Sequence, residues 1–178
     1  MLFRSPSMIT IGPILLFSLT LLLMGFFSGM EMAFYKANRL SLELNKKKQK
    51  RSTQIVREFF EAPDRFLGTS LLGFTLFLVL LSLQLSRVMQ LLWQRFEIGN
   101  DLVRVVVEII IATGIVLILA EFIPRAVFRA YSTPLLLFLA PIYWIFYRLF
   151  YPLATGLMDA AEWVLKYIFN VRLHPDRK

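Results

Sequence analysis

The chain has 178 residues, 57% of them hydrophobic, and a mean hydropathy of +0.63. A soluble domain of this size needs more polar surface than that, so the surplus apolar surface must face lipid. A net charge of +8 suits basic segments against anionic headgroups before it suits nucleic acid, and the lack of cysteine excludes disulfides and thiolate metal sites.

A helix needs about 20 apolar residues to cross the hydrocarbon core. The first such run covers residues 9–35, with nothing ionisable between Ser5 and Met30. It is longer than the ~7–15 apolar residues of a signal peptide. No A-x-A site follows it, so it reads as a retained span. Residues 36–65 then hold nine Lys/Arg against four Asp/Glu. Within them, residues 40–62 read as a helix lying along the membrane, stopped by Pro63. The basic run KKKQKR at 46–51 reads as a headgroup anchor and topology signal.

The second span, residues 66–86, is uncharged and bracketed by Arg65 and Arg87. The loop after it, residues 87–104, carries three Lys/Arg and two Asp/Glu. The third span, residues 103–124, has Glu108 near one end and Glu121 near the other. A fourth apolar stretch, residues 133–158, is interrupted by Pro134, Pro141 and Pro152. It reads either as a fourth span or as bent helices at the interface, within a juxtamembrane region of about residues 133–170. The excess of basic residues at 36–65 places that segment in the cytoplasm and the N-terminus outside. Three spans then keep the basic tail inside, which favours the interfacial reading. The fold class expected is an all-α membrane protein: three transmembrane helices plus cytoplasmic juxtamembrane helices, integral to the cell membrane. No internal repeat is evident.

Ionisable groups inside spans are costly, about 2.5–3.5 kcal/mol for an Asp on insertion scales, so Glu31 and Glu121 are the most informative residues. Ser28 and Glu31 are three residues apart and share a helix face. Pro124 cannot donate to the carbonyl of Ala120, and a freed carbonyl beside Glu121 suits a hard cation. The second span offers Thr69, Ser70, Thr75 and Ser82, hydroxyls that can face the two carboxylates if the three spans pack together. Oxygen-only ligands point to Mg²⁺, Na⁺ or Ca²⁺ rather than zinc or copper. The bland alternative pairs Glu31 with Lys36 and Glu121 with Arg125. Gly25 and Gly29 form a G-x-x-x-G that permits close helix approach, in a dimer or within the chain. His174, the only histidine, cannot form a metal site alone. No nucleophile–base pairing, phosphate loop or zinc motif is present, and no enzyme activity is expected.

The stretch Phe27-Ser28-Gly29-Met30-Glu31-Met32-Ala33, with Ala37-Asn38-Arg39 and Leu42-Glu43 after it, is similar to a motif close to FSGSETA…ANR..LE. Leu67-Gly68-Thr69-Ser70-Leu71-Leu72-Gly73-Phe74-Thr75 looks like LATILIGNT, and Ala120-Glu121-Phe122-Ile123-Pro124-Arg125 looks like GEIIPK. In this order and spacing they resemble the transmembrane domain of the CNNM/CorB/CorC (hemolysin-like) family, linked to Mg²⁺ transport. The resemblance covers nearly the whole chain. It implies three spans with the N-terminus outside and the C-terminus inside, juxtamembrane helices, a homodimer, and a Mg²⁺ site with Na⁺ as counter-ion. By position Ser28 and Glu121 match ion-site residues, Gly29 and Glu31 match the first-span motif, and Ser70 is a neighbour in the second span.

Two positions depart from the pattern. Phe74 stands where the family has an Asn, and Met30 where it has a second serine. Both replace oxygen donors, whereas Mg²⁺ demands near-octahedral oxygen geometry. The family's cytoplasmic CBS-pair region is missing, so the chain reads as a single transmembrane domain over residues 1–178, a membrane-only fragment. The expectation is a Mg²⁺ (divalent cation) transporter domain using Ser28, Glu31 and Glu121. The alternative is a transport-inactive relative serving as a membrane scaffold or assembly factor.

Overall fold

In the computed structural model the described residues are 6–37, 51–93 and 101–167. Most of the basic run at 46–51 and His174 lie outside them. The chain is all α, with no strand among the described residues. In order come α1 (Pro6–Lys36), α2 (Arg51–Glu61), α3 (Pro63–Trp93), α4 (Asp101–Ile115), a π-helical segment (Val116–Phe122), α5 (Ile123–Ala130) and α6 (Ser132–Tyr167). Among the described residues four stretches are long and apolar enough to cross a membrane: Gly12–Lys36, Pro63–Arg87, Asp101–Ala130 and Ser132–Leu157.

Helix α1 is the central post. It packs against α3, α5, α6 and the π segment. Small residues on one of its faces permit this. A Cβ on Gly25 would stand 2.8 Å from Pro124 Cγ, and one on Gly29 would stand 2.5 Å from the Phe128 ring. The G-x-x-x-G motif is therefore consumed within the chain, as the seat of α5. On α3 the same device recurs once: Gly73 gives way to the buried Phe27 ring, which a Cβ there would strike.

The core at the α1–α2–α3–α6 junction is aromatic. Phe34 stacks on Phe60 and Phe66 with centroids 4.7 and 4.4 Å away. Phe59 reaches Phe66, Tyr143 and Tyr147 at 5.0–5.4 Å. Each such pair adds about 0.5–1.5 kcal/mol beyond area burial. Helix α2 joins this core through Ile55, Val56 and Phe59 and turns its charged residues outward; the first part of the helix expected over residues 40–62 lies outside the described residues.

Three boundaries differ from the sequence reading. Helix α3 runs past Arg87 to Trp93, because no Gly or Pro intervenes to stop it. Pro124 does not end the third apolar helix. The backbone widens into the π segment just before it, Ile123 N–H donating to the Ile118 carbonyl, and the helix resumes with Pro124 in its first turn. The fourth apolar stretch lies within one continuous helix that holds Pro141 and Pro152 in its interior. Pro134 lies in its first turn, where no intrahelical donor is needed. Pro141 and Pro152 are eleven residues apart, close to three turns, and both point to the exposed face. Their missing hydrogen bonds therefore open away from the packed side.

Candidate functional site

Two polar residues of the spans, Ser28 and Glu121, meet Arg125 at the contact between α1 and the π segment with α5. Ser28 is 1% exposed. Its hydroxyl oxygen accepts a hydrogen bond of 2.8 Å from Arg125 Nε. The other end of the guanidinium reaches back along its own helix, Nη2 lying 3.9 Å from Glu121 Oε1. Ser28 and Glu121, nominated from separate motifs, thus meet through one arginine. Sequence spacing foresaw the Glu121–Arg125 pair, four residues apart. It could not foresee that the same arginine bridges 97 residues of chain to Ser28.

Helix packing fixes this node. Gly25 and Gly29 flank Ser28 and let Pro124 and Phe128 come in on either side of Arg125. The Ala120 carbonyl oxygen would be 3.9 Å from a Cβ on Gly25, so this carbonyl faces α1. Ala120 itself is fully buried. Glu121 and Arg125 are each about a third to two-fifths exposed, at the edge of the contact.

The remaining nominated residues lie elsewhere. Gly29 is buried under Phe128 and offers its space, not a ligand atom. Glu31 is half-buried and lies within electrostatic range of Tyr143. It forms no hydrogen bond or ion pair with another described residue, Lys36 included. Ser70 is drawn away to α6: its hydroxyl is 2.9 Å from Tyr143 OH, which donates to the Phe66 carbonyl at 2.9 Å. The other α3 hydroxyls close onto their own helix, Thr69 to Arg65 O, Thr75 to Leu71 O and Ser82 to Leu78 O. An isolated hydroxyl in an apolar helix finds its nearest acceptor one turn back. Among the described residues no three His, Cys, Asp or Glu side chains converge as a metal cluster.

Met30 is fully buried and Phe74 packs against both apolar clusters. The two donor positions that the sequence lacks are filled by core. Tyr143 was invisible as a polar residue in its apolar stretch. The available signal was chemical: a tyrosine buried in a helical core must find a partner for its hydroxyl.

The model of the cyclin M transmembrane N-terminal domain (CNNM) matches residues 14–175. The comparison with curated proteins finds no match. The matched range takes in α1 from Ile14 onward, the aromatic core, the Ser28–Arg125–Glu121 node and all of α6. The chain belongs to the CNNM transmembrane-domain family.

Proposed function

We propose that the chain acts in divalent-cation transport, with Mg²⁺ as the cargo and Na⁺ as the counter-ion. The observation that carries this reading is the node itself. A buried hydroxyl and a carboxylate, from two helices of a membrane protein, are arranged around a positive charge. Ionisable groups held at such places are functional by default, because insertion penalises them. The neighbouring π segment adds weight, since irregular backbone among membrane helices is tolerated where it is packed in protein or lines a cavity. In this reading Arg125 holds the cation's place. Cargo entry requires its guanidinium to leave Ser28 and Glu121, and Glu31 contributes a second carboxylate about a turn further along α1. The family resemblance supplies the three-span topology, the external N-terminus and the homodimer of this proposal.

The test is Mg²⁺ uptake by vesicles reconstituted with purified protein. Uptake above protein-free vesicles is expected, with Glu121→Gln lowering it at least tenfold. Uptake indistinguishable from protein-free vesicles sinks the proposal.

A second reading has its own observations. Met30 and Phe74 are built into the apolar core, and Ser70 is committed to Tyr143. A transport-inactive membrane scaffold would show this pattern, with Arg125 as a permanent structural counter-charge. It predicts no uptake in the wild type and a loss of folding, not of flux, on Arg125→Gln.

A further inference from the structure

A cleft of about 660 Å³ opens between the end of α2, the start of α3 and the middle of α6. It lies apart from the Ser28–Arg125–Glu121 node and has no role in the transport reading. On α6 it is lined by Trp144, Tyr147, Arg148 and Tyr151, a single helix stripe. Facing them are Glu58, Glu61 and Arg65.

The charged groups lining this cleft are two carboxylates and two guanidiniums. Glu58 accepts from Trp144 Nε1 at 3.3 Å, and Glu61 is paired with Arg57 at 2.9 Å. The two arginines are held differently. The Arg65 guanidinium lies 5.2 Å above the Tyr151 ring and that of Arg148 lies 5.3 Å above Trp144. Neither forms an ion pair with another described residue. A guanidinium drawn to a ring by cation–π attraction still has N–H groups to offer an anion. Two planar donor forks, each fixed on an aromatic ring, suit the oxygens of a phosphate.

Position selects the source of that phosphate. Arg65 lies in the first turn of α3, where the apolar stretch Pro63–Arg87 begins. Amphipathic α2 ends beside it, and the Trp and Tyr side chains of α6 line the same level. These are the residue types that anchor at headgroup height. We infer that this cleft binds the phosphate of a glycerophospholipid headgroup, with Arg65 and Arg148 as its ligands.

The test is thermal unfolding of the full chain in detergent with dioctanoyl phosphatidylglycerol, dioctanoylglycerol or inorganic phosphate. The phospholipid is expected to raise Tm by roughly 5 °C near saturation, and the other two not at all. The shift should vanish in Arg65→Gln/Arg148→Gln and persist in Arg51→Gln/Arg129→Gln, which removes two exposed charges outside the cleft. Should the first double variant fail to fold, Arg148→Lys keeps the charge but loses the fork, and less than about half the shift should remain. An equal shift with inorganic phosphate overturns the lipid assignment. No shift in the wild type, or a full shift in either cleft variant, overturns the site.

Discussion

Tyr143 shows how a single hydroxyl can tie two helices of a membrane protein, α6 and α3. It donates to the Phe66 carbonyl and meets the Ser70 hydroxyl, all in a buried aromatic setting. Tyr143→Phe should destabilise the fold by about 1–3 kcal/mol, since Ser70 is left buried without that partner. In that background Ser70→Ala should cost little more, a coupling that a double-mutant cycle by chemical denaturation will measure. At Gly29 the constraint is one of space. Gly29→Ala drives a methyl into the Phe128 ring, and overpacking of this kind costs about 1–3 kcal/mol. Phe128→Ala should recover some of the loss, because it empties the space the methyl needs. A double variant no more stable than Gly29→Ala alone contradicts the packing account. Legibility at this scale was uneven. Glu121 and Ser28 stood out by chemical type in an apolar run, and Arg125 as a partner of Glu121 followed from spacing. The reach of Arg125 to Ser28 and of Tyr143 to Ser70 depends on how helices distant in sequence dock. No local pattern encodes that.

Among the elements, α2 depends most visibly on its neighbours. Its described residues are Arg51–Glu61, and a helix in a protein draws most of its stability from packing an amphipathic face. Its order comes from Ile55, Val56 and Phe59 set into the aromatic core. Phe59→Ala removes ring contacts to Phe66, Tyr143 and Tyr147 and should cost about 3–5 kcal/mol. Amide exchange in α2 should accelerate well beyond that in α1. Uniform acceleration across both helices argues against a separately docked element. The helical character of each apolar run was legible because long uncharged stretches have no other way to satisfy their backbone in lipid. The continuity of α6 was not. Three prolines suggest a break, and only their placement in the first turn and on the exposed face explains why the helix survives them.

For the whole molecule the lack of cysteine is an experimental advantage, since each introduced thiol is unique. The three-span topology expects a cysteine replacing Glu61 and one replacing Lys166 to label from the same side of sealed vesicles. Labelling from opposite sides would make α6 a fourth crossing. Helix α4 raises a related question of surroundings. None of its residues is buried, so lipid or a second copy must cover its apolar side chains. The membrane character of the chain was written in its composition. Its orientation was argued from the charge imbalance at residues 36–65, a bias that acts during insertion.

The arginine that joins Ser28 to Glu121 also has an electrical consequence. A guanidinium keeps its proton at any physiological pH, so it cannot vacate Ser28 by becoming neutral. A cycle that clears the hydroxyl by moving Arg125 alone along the membrane normal displaces a positive charge through the membrane field. A displacement across the full field is coupled to voltage by about 2.3 kcal/mol per 100 mV, and a shorter path by the corresponding fraction. A transporting protein of this design should therefore give a transient charge movement before any ion crosses. Arg125→Gln should abolish that transient, and a cycle in which Glu121 travels with Arg125 would be electrically silent.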